Sequence, residues 1–299
     1  MPEITIISGK GGTGKTSVTA AFARLASDHI VCDLDVDAPD LHLLLRPEII
    51  ESHEFHAGRT ATIDPDTCIL CGDCAERCRF EAIIAQPNGY IIDEHACEGC
   101  GVCAHFCPMG AVTMHERYAG NWFRSRTDVA PMIHAEMFPG AENSGLLVST
   151  LRRAAKAESE RSGRPLIIAD GSPGIGCPVI SSISTADFVI LVTEPTPSGL
   201  HDLERAADLC ARFPRPAGVI INKEGLNPAR EREIADLCTA RGLPLLGRIP
   251  YDKIVVDALM SGLTMADLGE HRASKAIRTA WNNVIALAVE SRSVESIHS

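Results

Sequence analysis

This 299-residue chain is short of several things, and each shortage removes a class of protein. Basic residues are outnumbered, 28 Lys and Arg against 39 Asp and Glu for a formal net charge of −11, so nonspecific nucleic-acid binding through neutralised phosphates is not expected. No apolar run approaches the ~18 residues of a membrane span. The chain from Trp281 to Ser299 also lacks the basic amphipathic face of a helix lying on a membrane, so no membrane partner is expected. A strand follows the first residues without a basic, then apolar, then small-residue leader, which sets the expectation of a cytoplasmic protein. The 11 histidines have no H-E-x-x-H spacing and there is no G-x-S-x-G elbow, so neither a zinc-protease nor a serine-hydrolase site is expected.

What the chain does have is a phosphate cradle. The apolar run Ile4-Thr5-Ile6-Ile7 leads into Ser8-Gly9-Lys10-Gly11-Gly12-Thr13-Gly14-Lys15-Thr16, and a helix-patterned segment follows from Ser17 to Ala26. Strand, glycine-rich loop and helix in that order let backbone N–H groups from Gly11 to Ser17 converge on phosphate oxygens. Lys15 can reach the outer phosphates and the Thr16 hydroxyl can ligate Mg²⁺. A second apolar strand, Pro165 to Ala169, ends in Asp170 and runs into Gly171-Ser172-Pro173-Gly174. That is the pattern of a Mg²⁺-binding aspartate with a switch loop, in which Gly174 offers its N–H to the γ-phosphate. Further strands, Phe188 to Val192, Gly218 to Ile221 and Leu245 to Ile249, alternate with helix-length segments. Such alternation predicts an α/β P-loop NTPase fold, a parallel sheet flanked by helices.

The second lysine narrows the family. Lys10-Gly-Gly-Thr-Gly-Lys15-Thr16 resembles the deviant Walker A of the MinD/ParA/Mrp ATPases, a family that also holds nitrogenase-type reductases and tail-anchored-protein targeting ATPases. The resemblance implies ATP as the nucleotide and a nucleotide-sandwiched homodimer, or a heterodimer with a paralogue, in which Lys10 crosses to the partner's nucleotide much as an arginine finger does. It also implies that Asp35, in Asp33-Leu34-Asp35-Val36-Asp37, orients the attacking water with Asp33 supporting Mg²⁺. Lys10, Lys15, Asp35 and Asp170 are then the catalytic set. Asn222 at the end of its strand, together with Pro250 and Asp252 in Pro250-Tyr251-Asp252, is placed by the same resemblance near the adenine. An Asn at a strand end is also an ordinary turn former.

The 12 cysteines sort by position. Without a leader they do not read as a disulfide framework. Cys32, Cys210 and Cys238 lie in apolar segments and are expected to be small buried residues. Cys177, in the switch loop before Pro178, invites comparison with the cysteine that lets nitrogenase-type reductases share a cluster between subunits. No second isolated cysteine precedes Asp170, however, and burial is the expectation here too. The other eight form one spacing twice: Cys68, Cys71, Cys74, Cys78 and then Cys97, Cys100, Cys103, Cys107, the copies displaced by 29 residues. Ile63-Asp64 recurs as Ile92-Asp93, so each half reads as strand, cysteine loop, short helix and return strand. The pair resembles a bacterial two-cluster [4Fe–4S] ferredoxin. In that chemistry the fourth cysteine of each run serves the other cluster, which assigns Cys68, Cys71, Cys74 and Cys107 to cluster I and Cys97, Cys100, Cys103 and Cys78 to cluster II. Arg79 stands where the first run would carry the proline that Pro108 supplies to the second, and two zinc ions are the alternative occupants of eight thiolates.

The nucleotide motifs flank this block. The expected organisation is therefore an ATPase domain at 1–58 and 117–290, an inserted α+β ferredoxin-like domain at 59–116, and a tail at 291–299. Tyr118 to Gly145 is read as a hairpin-like return, continuing through Ala141-Glu142-Asn143. MinD-like ATPases with an inserted ferredoxin have this layout. The resemblance implies a Mg²⁺-dependent ATPase coupling nucleotide state to electron transfer through two clusters, with a redox partner. An iron–sulfur carrier or assembly ATPase with a client protein is the alternative, and a spatial-positioning ATPase the weaker one.

Overall fold

The computed structural model describes residues 2–140, 144–213 and 215–295; the expected junction at 141–143 and the tail at 296–299 lie outside the described residues. In chain order the elements begin with β1 (Glu3–Ser8), α1 (Lys15–Leu25), β2 (His29–Asp33), α2 (Leu41–Leu45) and β3 (Glu48–Ile63). Next come α3 (Asp73–Arg77), β4 (Ile83–Gln86), β5 (Gly89–Ile92), α4 (Val102–Phe106), β6 (Val112–Arg126) and β7 (Pro131–Met137). The remainder alternates: α5 (Ser144–Ser162), β8 (Leu166–Pro173), α6 (Cys177–Ile183), β9 (Phe188–Thr193), α7 (Pro197–Cys210), β10 (Ala217–Glu224), α8 (Pro228–Arg241), β11 (Leu245–Pro250), α9 (Lys253–Met260) and α10 (Arg272–Glu295). The final helix thus continues past the expected boundary at residue 290.

The chain divides into two compact units, Met1–Ser52 with Trp122–Glu136 and Ser144–Ser299, and His53–Asn121 with Met137–Asn143. The second unit begins earlier and ends later than the 59–116 expected for the insert. The reason is that β3 and β6 are single strands of 16 and 15 residues that run without a break across the expected boundaries at 59 and 116.

The large sheet has the order β11-β10-β9-β1-β8-β2-β7-β6-β3. Pairings of β1 with β8 and β9, β9 with β10, β10 with β11, and β2 with β8 and β7 are all parallel. Strands covered on both faces read as continuous apolar runs, and β1 and β9 are buried at every position. On one face α1 brings Val18, Ala21 and Phe22 against Trp281 of α10, with the Phe22 and Trp281 rings 5.0 Å apart. Local signals agree with the helix starts: Thr196 and Asn227 cap α7 and α8 by accepting N–H bonds from Gly199 and Arg230, each with proline next in line.

The expected hairpin-like return takes the form of β6 and β7, sheet neighbours joined by a turn in which the Thr127 N–H donates to the Ala130 carbonyl at 3.2 Å; β7 is also a mostly buried strand parallel to β2 in the central sheet. Its short apolar pair Met132-Ile133 is followed by His134, which breaks the strand signal. That histidine is accommodated in the core by Ser125, whose hydroxyl lies 2.8 Å from Nε2.

The second unit is internally repeated. Helices α3 and α4 are displaced by the same 29 residues, and so are left-handed residues Leu70 and Gly99 (φ 62° and 62°), Gly72 and Gly101 (80° and 75°), and Glu81 and Gly110 (53° and 63°). Reciprocal bonds tie the halves: Asp64 N–H to Ala111 O and Asp93 N–H to Ala82 O, each 2.8 Å. Gly99 cannot be replaced by a leucine as its counterpart is, because a Cβ there would lie 2.2 Å from the Arg59 carbonyl oxygen.

Candidate functional site

The ends of β1, β2, β8, β9 and β10 deliver one cluster of polar side chains. After β1 the chain turns through the glycine loop and enters α1 at Gly14, whose φ of 90° suits glycine alone. A Cβ on Gly14 would also stand 2.2 Å from Asn222 Nδ2, which donates to the Thr13 carbonyl at 2.8 Å. Gly11 and Gly12 face open space, where a Cβ would meet nothing within 4 Å. A loop pinned from below and open above has room for phosphates over its amides.

Lys15 opens α1 and is buried. Its Nζ lies 2.9 Å from Asp170 Oδ2 and 3.2 Å from Asp35 Oδ2. The Thr16 hydroxyl donates to Asp170 Oδ2 and the Thr19 hydroxyl to Asp170 Oδ1, both at 2.7 Å. Thr19 was not read from the sequence; the available signal was a lone hydroxyl one turn after Lys15 among the apolar residues of α1. Asp33 sits opposite Asp170 in the β2–β8 register, and one of its oxygens accepts the Asp35 N–H at 3.1 Å. The other Asp33 oxygen and Asp35 Oδ1 are buried without a partner.

Three carboxylates therefore face one ammonium. Burial, then the neighbouring Asp170, pushes the Asp33 carboxyl well above the ordinary range, and burial likewise raises Asp35. Burial pulls Lys15 down, but Asp170 and Asp35 outweigh it and its net shift is upward. A divalent cation fits this donor set: two orphaned carboxylate oxygens and the Thr16 hydroxyl surround surplus negative charge. Among the described residues no three His, Cys, Asp or Glu groups converge closely enough to hold an ion unaided. Mg²⁺ ordinarily keeps waters and takes only one or two carboxylates plus substrate phosphates.

Other expected residues are engaged differently. The Lys10 ammonium is held by Glu194 at 2.6 Å and by the Ser198 hydroxyl at 2.8 Å. Gly174 donates its N–H to the Ser8 carbonyl at 2.8 Å, so the switch loop is fastened to β1 and its amide is not offered to a phosphate. Asp252 caps α9 and pairs with Arg272 at 2.8 Å. Pro250 ends β11 beside Glu224, and Ser17 lies in the first turn of α1. Glu194 and Lys223 were missed in the sequence; a charged residue at each strand end was the only sign.

In the second unit, Cys68, Cys71, Cys74 and Cys107 line one hollow, and Cys78, Cys97, Cys100 and Cys103 line another. Cys32, Cys210 and Cys238 are buried. Cys177 is exposed, contrary to expectation, because it opens α6 after Gly176 and leaves the packing against β1 and β8 to Val179 and Ile183.

A family model described as the CobQ/CobB/MinD/ParA nucleotide binding domain matches residues 4–265. The chain is 33% identical over 228 residues to the uncharacterized protein MJ0578 of Methanocaldococcus jannaschii, spanning 75% of this chain and 79% of that protein. Among solved structures it resembles the cell division ATPase MinD of Pyrococcus furiosus, with a TM-score of 0.58, 19% identity and coverage of 96% of this chain and 99% of that one. The septum site-determining protein MinD of Pyrococcus horikoshii OT3, complexed with Mg-ADP, gives a TM-score of 0.56 at 19% identity, covering 97% and 98%. Among the described residues no helix is long and apolar enough to cross a membrane.

Proposed function

Because the chain belongs to the CobQ/CobB/MinD/ParA nucleotide-binding family, we propose that it is a Mg²⁺-dependent ATPase that dimerises on ATP and whose nucleotide cycle governs two [4Fe–4S] clusters in its second unit. The single observation that carries the iron–sulfur part is the pair of hollows, each lined by four cysteines in the crossed sets of a two-cluster ferredoxin. A cubane presents four separate irons, so its thiolates stand farther apart than the ligands of one ion. Bound clusters would supply one-electron chemistry at low potential.

In the nucleotide site, the loop amides and Lys15 would bind and neutralise the phosphates, and Thr16 and Asp170 would hold Mg²⁺ with Asp33 in support. Mg²⁺ would spread negative charge off the β- and γ-phosphates. Asp35 has a buried unpartnered oxygen to orient the attacking water. Lys15 exchanges its present carboxylate partners for phosphate oxygens. Lys10 reaches the partner subunit's nucleotide, and Gly174 must leave Ser8 before its amide can meet a γ-phosphate.

Electron relay is preferred over cluster transfer because both cysteine sets are complete. A second reading, spatial positioning, is favoured by the whole-chain likeness to proteins named as a cell division ATPase and a septum site-determining protein. Anaerobic reconstitution followed by iron and sulfide analysis separates them: relay requires about eight of each per chain. Stoichiometric zinc, or metal-free protein with full ATPase activity and ATP-dependent dimerisation, would remove the relay reading and leave positioning.

A further inference from the structure

Glu194 follows β9 directly beside the phosphate loop and carries two ammonium groups at once. Lys10 Nζ is 2.6 Å from one oxygen and Lys223 Nζ 2.6 Å from the other. The Glu194 side chain is only 10% exposed against 28% for Lys10, so the carboxylate is the fixed member of the pair. Lys223 also donates to the Gly12 carbonyl at 2.8 Å, and its backbone is left-handed at φ 59°, an uncommon conformation for a residue with a side chain. Gly9 packs so closely on α7 that a Cβ would lie 2.2 Å from the Asp202 carbonyl. What can move is the Lys10 side chain.

We propose that Glu194 is a latch that holds Lys10 within its own subunit and must release it before the ATP dimer closes, with Lys223 staying behind as the remaining counter-charge. This rests on the reading of Lys10 as the residue that reaches the partner's nucleotide. Two cations on one carboxylate make release inexpensive. A partly buried carboxylate left alone would be strongly penalised, whereas Glu194 keeps one charge-assisted bond after Lys10 leaves. The same arrangement explains why Lys223 is held in a strained backbone aimed at the loop. Breaking one partly exposed pair corresponds to about five-fold per subunit, and so to about twenty-five-fold for a symmetric dimer.

The test is the dimerisation constant of the full chain with Mg²⁺ and ATPγS, measured by sedimentation velocity, with ADP affinity measured in parallel. Glu194→Gln should tighten dimerisation by about twenty-five-fold. Lys223→Met, which leaves Glu194 with Lys10 alone, should weaken it, and Glu194→Gln in a Lys10→Ala background should give no gain. An unchanged or weaker dimer in Glu194→Gln overturns the latch, as does loss of ADP binding in that variant, which would make Glu194 a support of the loop. If Lys10→Ala dimerises like the parent, the reading of Lys10 falls and the latch with it. If Lys10→Ala is impaired but Glu194→Gln shows no improvement, the latch falls alone.

Discussion

Asp33→Asn should stabilise the nucleotide-free protein while weakening its hold on Mg²⁺ and nucleotide. Asp33 is 2% exposed, lies beside Asp170, and leaves one oxygen without a partner. An asparagine keeps the oxygen that accepts the Asp35 N–H and puts donors where carboxylates are the neighbours. Orphaned buried polar groups cost about 1–3 kcal/mol, so a gain of about 2 kcal/mol is expected at pH 8. The sign with pH follows from the raised folded-state value. The folded parent binds this proton more tightly than the unfolded chain, so Asp33 erodes stability as pH rises above the unfolded value near ~3.9. The gain in Asp33→Asn is therefore absent near that value and grows toward pH 8. Urea unfolding without nucleotide, followed through Trp281 beside Phe22, measures it. Saturating Mg-ADP should reverse the order of the two proteins. A variant less stable than its parent at pH 8, or one whose gain does not grow between pH 5 and pH 8, would refute the charge-surplus account.

Gly14→Ala should cost about 2–4 kcal/mol, from the left-handed backbone plus the overlap with Asn222, and should abolish ADP binding; calorimetry and urea unfolding check both. Burial holds His29 and His134 down to about 4. With folded values below the unfolded ~6.5, the stability they support is complete above that pH and is lost as pH falls toward 4. His134→Phe should remove about one proton from that slope, as read by unfolding at stepped pH. Cys71→Ser should spoil the set with Cys68, Cys74 and Cys107 and spare much of the other, and equal loss of both electron paramagnetic resonance signals would refute the partition.

The nucleotide half was legible because its chemistry is local in sequence. A strand, a glycine loop and a helix are contiguous, and Asp33 and Asp170 each end an apolar run, so their meeting across the β2–β8 register follows from parallel pairing. The duplicated cysteines were legible from spacing alone, down to the displacement of 29 that recurs in α3 and α4. What escaped was non-local. β7 hides behind Pro131 and His134, and its burial is decided by β2 and β6. Glu194, Lys223 and Thr19 are single polar residues whose meaning comes from partners 184, 211 and 151 positions away, Lys10, Gly12 and Asp170. Asp252 also has partners that the sequence does not announce, the first turn of α9 and, twenty positions on, Arg272. Cys177 was expected to be buried from the habit of free cysteines, yet the first position of a helix faces outward here.

The central claim is that nucleotide state governs the cysteine-held clusters. It is tested most directly by the reoxidation rate of the reduced, reconstituted protein, measured by stopped flow without nucleotide, with ADP, and with ATP in Asp35→Asn to hold the closed state. The account predicts that the ATP state differs from the other two by at least about five-fold, the lower end of ordinary coupling between sites. Equal rates in all three states would contradict it.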